Sequence, residues 1–118
     1  MEAVKLFDSE LKIMEILWRE GALSAKQISV LAANEIGWNK NTTYTVIKKL
    51  IDKDVVQRNE PGFICSPLIL RDAVQKDETE RLIDKLWGGS KKAFFAAFVD
   101  EHLSEDELCE LKSLIEKK

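Results

Sequence analysis

The first run of apolar residues repeats at helical spacing. Leu11, Met14, Leu17 and Trp18 share one face, and Ile13 and Ile16 widen it. Phe7 to Leu11 opens this helix, with Asp8 or Ser9 as its cap, because a short oxygen acceptor meets the free N–H groups of a first turn. Gly21 ends it near Arg19 or Glu20. Ala22 and Leu23 read as short and extended. Ser24-Ala25-Lys26-Gln27 is then a capping box, and Leu23 with Ile28 is its hydrophobic staple. A second helix follows over about 25–35, with Ile28, Leu31 and Ala32 inward. Gly37 is the turn residue after it.

Asn39 caps a third helix of about 40–53. Thr43, Val46, Ile47 and Leu50 point inward, with Ile51 at their margin. Lys40, Asn41, Tyr44, Thr45, Lys48, Lys49 and Asp52 point outward. Two β-prone runs come next, Val55–Arg58 and Phe63–Ser66, around the turn Glu60-Pro61-Gly62. Pro67 is expected to stop the second strand.

From about Leu70 the pattern is helical again. Leu70, Ala73 and Val74 lead across a polar gap, Lys76–Glu80, to Leu82, Ile83, Leu86 and Trp87. Gly88-Gly89 breaks this helix, and Ser90 starts another carrying Phe94, Phe95, Phe98 and Val99. Leu103-Ser104 to Glu107-Leu108 is a second capping box with its staple. The last helix places Leu108, Leu111, Leu114 and Ile115 on one face.

Helix, short strand, helix, turn, helix and hairpin is the order of a winged helix-turn-helix. The expected fold class is therefore mainly α with a small β-hairpin. A winged helix-turn-helix domain (1–69) precedes a three-helix C-terminal region (70–118). DNA is the natural partner of this shape, because one helix fits the major groove. On the third helix Asn41, Tyr44, Thr45 and Lys48 share one face, and their groups suit base edges and phosphates. Lys40, Lys49 and Lys53 flank it as phosphate contacts, and Arg58 stands at the base of the wing.

Charge and composition refine this picture. The net charge of −3 argues against nucleic acid, but its distribution does not. Residues 1–70 balance nine Lys/Arg against nine Asp/Glu, whereas 71–118 hold nine against twelve. Five basic residues and two acidic ones fall within 38–58, so the positive charge sits on the third helix and wing. The tail carries many large apolar side chains that three thin helices cannot bury alone. They pack either on the winged helix or on a second copy. A twofold dimer would also present two reading helices to half-sites roughly 34 Å apart or a multiple of that. The candidate dimer contacts are Leu82, Leu86, Phe94, Phe95, Phe98, Leu108, Leu111, Leu114 and Ile115.

Other chemistry finds little support. Cys65, Cys109 and His102 show no metal-ligand spacing, so neither a metal nor any other cofactor is expected. No phosphate loop or nucleophile elbow points to an enzyme. No signal or membrane-spanning segment is read, so a cytoplasmic protein is expected. The competing readings are a winged-helix protein-interaction module without DNA binding, favoured by the acidic total, and an enzyme using Cys65, Cys109 or His102.

The chain resembles the penicillinase-repressor family, of the BlaI/MecI/CopY type. The run from Trp38 through Asn41-Thr42-Thr43-Tyr44-Thr45 to Lys49-Leu50 is similar to the family's Trp-Ser-Pro-Lys-Thr-x-x-Thr-x-x-x-Arg-Leu. Asp8–Leu11 with Met14 and Leu17-Trp18, Phe63-x-Cys65-x-Pro67, Gly88-Gly89 and Leu103-Ser104-x-x-Glu107-Leu108 also match. The resemblance implies a homodimeric repressor on a dyad-symmetric operator, tied to β-lactam response or related genes. It implies that Thr42 and Thr45 face DNA, with Lys49 the basic position after them. It also implies release through a sensor-linked protease, or through copper in one branch. Four departures stand out, the first a short wing filled by Pro61 and Gly62 in place of basic residues. Ala97-Phe98 occupies the place of the family's cleaved Asn-Phe bond, Lys40 replaces a proline, and Cys109 is alone where the copper branch is cysteine-rich.

Overall fold

The computed structural model describes residues 5–118. In order it contains α1 (Asp8–Glu20), β1 (Leu23–Ser24), α2 (Ala25–Glu35), α3 (Lys40–Asp52), β2 (Val56–Asn59), β3 (Ile64–Pro67), α4 (Arg71–Trp87), α5 (Lys91–His102) and α6 (Glu105–Glu116). Two compact units divide inside α4, one running through Asp77 and the other Glu78–Lys118.

The helix starts follow their caps. Ser24 accepts the Gln27 N–H at 3.1 Å while the Gln27 side chain accepts the Ser24 N–H at 2.9 Å, which closes the box that opens α2. Asn39 Oδ1 accepts the Thr42 N–H at 2.8 Å at the head of α3. Ser104 and Glu107 repeat the box at α6. The start of α1 differs from expectation. Asp8 and Ser9 lie inside the first turn, and Phe7 is the capping position. Phe7 has no acceptor, so Glu10 alone reaches back, its Oε1 taking the Phe7 N–H at 2.8 Å.

The sheet has the order β1-β3-β2, all antiparallel. The extended Leu23-Ser24 pair is thus a third strand, in register with Cys65 and Ile64. β3 ends at Pro67, as expected. This residue lies opposite Val56. β1 reaches only as far as Cys65, so the missing N–H of Pro67 disrupts no ladder on that side.

In the first unit Ile13, Met14, Ile16 and Leu17 of α1 meet Ile28 and Ala32 of α2, and Val46, Ile47 and Leu50 of α3. Val55, Val56 and Cys65 close this core from the sheet side. Val74 also joins it. Trp18 Nε1 donates to the Ile69 carbonyl at 2.9 Å, and Arg71 pairs with Glu15 at 2.6 Å. These contacts carry the unit past the end of the hairpin, so it divides eight residues beyond the 69/70 boundary expected where the helical pattern resumes.

The second unit is thinly packed. α4 crosses the polar stretch Lys76–Glu80 without interruption. Trp87 meets Phe94 edge-on at 5.0 Å, and Phe94, Phe98 and His102 continue the row along α5. Neither α5 nor α6 has a fully buried residue.

Candidate nucleic-acid interface

α3 buries Thr43, Val46, Ile47 and Leu50 and turns its other side outward. Asn41, Thr42, Thr45, Lys48 and Lys49 are exposed along that side, with Lys40 at its N-terminal end. The helix is fixed by α1, α2 and the wing, so its outer face is presented on a rigid support. The Thr45 hydroxyl donates to the Asn41 carbonyl at 2.8 Å, which spends its proton within the helix and leaves its oxygen lone pairs outward.

Two expected contact residues behave differently. Tyr44 is half-buried against the core and meets the Phe63 ring edge-on at 6.0 Å. Lys40 Nζ lies 5.6 Å from the Tyr44 ring, so that ring supports the basic end of the helix. Lys53, expected as a phosphate contact, is withdrawn from that role. Its ammonium donates to Glu10 Oε1 at 2.6 Å and to the Lys5 carbonyl at 2.9 Å, and lies 4.5 Å from the Phe7 ring centroid.

The wing is built around Phe63. The Arg58 guanidinium stacks on that ring at 3.6 Å and pairs with Glu60 at 2.7 Å. Glu60 Oε2 accepts the Phe63 N–H at 3.1 Å. The Phe63 N–H, and after it Arg58, hold the Glu60 carboxyl below the usual carboxylate range. Tyr44, Phe63 and Arg58 therefore form one continuous row from α3 to the wing. The sequence reading missed this row. Its only trace was Phe63 at alternating distance from Cys65 in a β-prone run.

The expected dimer residues fall in the second unit. Leu82, Leu86, Phe95, Phe98, Leu108, Leu114 and Ile115 are exposed on the single chain, whereas Phe94 and Leu111 are half-buried. Phe95, Val99, Leu108, Leu111 and Ile115 line an open apolar groove of about 650 Å³ between α5 and α6.

The thiols offer no paired nucleophile. Cys65 is fully buried, and burial pushes its thiol up to about 11. Cys109 is exposed on α6. A thiol reagent is therefore expected to modify Cys109 readily in the native protein. Cys65 should react only through opening of the first unit, on the order of a thousandfold more slowly. Equal rates by mass spectrometry would contradict the burial of Cys65. Among the described residues no cluster of His, Cys, Asp and Glu is suited to a metal ion, and no helix is long and apolar enough to cross a membrane.

Three helices, a small sheet and a hairpin beside the third helix define a winged helix-turn-helix unit. The profile of the penicillinase repressor family matches residues 6–117, and the chain belongs to that family. The family is one of repressors, not of enzymes. The methicillin resistance regulatory protein MecI of Staphylococcus aureus (strain N315) is 26% identical over 117 residues, covering 97% of this chain and 95% of its own. A penicillinase repressor of Staphylococcus aureus is 26% identical over 115 residues, covering 95% and 91%. Among solved structures, the DNA-binding domain of the repressor BlaI aligns with TM-score 0.56 at 21% identity, covering 62% of this chain and 93% of that one. The monomeric form of Bacillus licheniformis BlaI with the blaP half-operator aligns with TM-score 0.54 at 20% identity, covering 61% and 90%. These two likenesses establish the winged-helix fold.

Proposed function

We propose that this protein is a cytoplasmic transcriptional repressor that binds a dyad-symmetric DNA operator as a homodimer and controls β-lactam-response or related genes. The observation that carries the DNA part is the exposed face of α3, with Asn41, Thr42, Thr45, Lys48 and Lys49 side by side and the wing braced against the same helix. Relatives named as methicillin-resistance and penicillinase repressors support the gene class. The homodimer reading is supported by the apolar residues that α5 and α6 leave uncovered. In this reading residues 1–69 serve DNA and residues 70–118 serve the dimer. A sensor-linked protease is the proposed means of release. Ala97-Phe98 lies within the continuous helix α5, so cleavage there requires α5 to unwind locally.

The test is binding to duplexes selected by the protein from a random-sequence pool, followed by fluorescence anisotropy across a salt series. Lys48→Ala and Lys49→Ala are each expected to weaken binding to every duplex and to flatten the log–log salt slope by about 0.9 per lost phosphate contact. Asn41→Ala and Thr45→Ala should instead erode discrimination between selected and scrambled duplexes, by about 1–3 kcal/mol per lost base contact. If none of the four variants changes binding to any duplex, α3 is not the reading helix. The acidic total favours a second reading, a protein-interaction module, and this predicts no duplex binding even at low salt.

A further inference from the structure

Arg58 is the one basic side chain of the β2–β3 hairpin, and it is already engaged by an acid. We propose that Glu60 is an internal counter-anion that occupies the Arg58 guanidinium in the free protein and so limits what the wing adds to DNA affinity. The proposal rests on the reading of α3 and the wing as a DNA interface.

The geometry fixes the acid more firmly than an ordinary surface pair. One carboxylate oxygen takes Arg58 Nε and Nη2, both at 2.7 Å. The other takes the Phe63 N–H at 3.1 Å, so the backbone of the turn holds the carboxylate in place. The guanidinium cannot swing freely, because its plane rests on the Phe63 ring at 3.6 Å. Phe63 in turn abuts Tyr44 of α3, which sets the guanidinium at a constant position relative to the reading helix. A DNA phosphate offers the same acceptor geometry to a guanidinium as a carboxylate does. Both partners are about half exposed, so a phosphate can reach the pair without opening the fold. Arg58 then exchanges one anion for another, and its contribution to binding is correspondingly small.

Glu60→Gln tests this in the full chain. The amide oxygen can still accept the Phe63 N–H, so the turn is preserved while the counter-charge is removed. Anisotropy with a mixed-sequence duplex between 50 and 200 mM salt is the readout. The expected result is tighter binding and a log–log salt slope steeper by about 0.9, so that the gain over wild type shrinks about 3.5-fold across that range. In an Arg58→Ala background the same substitution should leave the slope unchanged. An unaltered slope in Glu60→Gln overturns the proposal. So does a gain of equal size in the Arg58→Ala background, which would mean general repulsion of DNA by the acid. Lys48→Ala separates the two levels of the reading. If it weakens binding while Glu60→Gln is silent, only the role of Glu60 falls. If wild type binds no duplex at 50 mM salt, both fall.

Discussion

Replacing Leu114 and Ile115 together with aspartate is expected to convert the protein to a monomer and to weaken binding to a dyad-symmetric duplex by about 10²–10⁴-fold. The two side chains are 60% and 57% exposed on the single chain, so aspartate there disturbs little within α6 itself. Across a dimer interface the effect is different. Each apolar side chain buried against a partner contributes roughly 1.5–3 kcal/mol, and an aspartate in its place adds an unpaired charge to the interface. The loss on DNA follows from geometry. A dimer that has engaged one half-site meets the second as an intramolecular event, whereas a monomer must bind each independently. Affinity for a single half-site should therefore be unchanged in the variant. Sedimentation equilibrium and anisotropy on full and half sites measure the two effects. A variant that remains dimeric would move the interface away from α6. A fragment ending at Asp77 is the companion experiment, expected to be monomeric. It should not be cut shorter, because Val74 belongs to the core of the first unit.

The parts of this fold that could be read in the sequence are those fixed by neighbours in the chain. α2 starts at Ala25 and α6 at Glu105 because Ser24 with Gln27, and Ser104 with Glu107, close their boxes within three residues. The inward set of α3 was legible for the same reason, since helical spacing alone separates Thr43, Val46, Ile47 and Leu50 from the lysines. Long-range contacts were not legible. The short extended run at Leu23 was legible, but its pairing was not, because its partner in β3 lies some forty residues on. Nothing local withdraws Lys53 from the basic face, because the acid that holds it is 43 positions away. Tyr44 reads as outward on a helical wheel, and only the arrival of Phe63 from the hairpin makes it a half-buried support. The shared exposed face of α3 was thus legible, and its bracing was not.

A large stability effect from a single partly exposed side chain is expected at Lys53. Glu10 is only 1% exposed, and its Oε1 is shared between the Phe7 N–H and the Lys53 ammonium. Its Oε2 is buried without a hydrogen-bond partner among the described residues. Lys53→Ala would leave that carboxylate buried with a single backbone donor, and breaking a buried pair in this way costs on the order of 3 kcal/mol. Glu10→Gln should cost much less, about 1 kcal/mol, because the amide oxygen keeps the Phe7 N–H while the charge itself is gone. Adding Glu10→Gln to Lys53→Ala is accordingly expected to restore part of the stability. A simple loss of packing by the lysine stem would give no such recovery. Urea unfolding of the four proteins measures this cycle, and a Lys53→Ala loss below about 0.5 kcal/mol would show that solvent reaches Glu10. The same variant separates structure from binding on α3. The Lys53 ammonium is committed to Glu10 and the Lys5 carbonyl, so its removal should leave the salt slope of DNA binding unchanged under conditions where the protein stays folded. Lys48→Ala, a few residues earlier in the chain, should do the reverse, flattening the slope while leaving the unfolding midpoint in place.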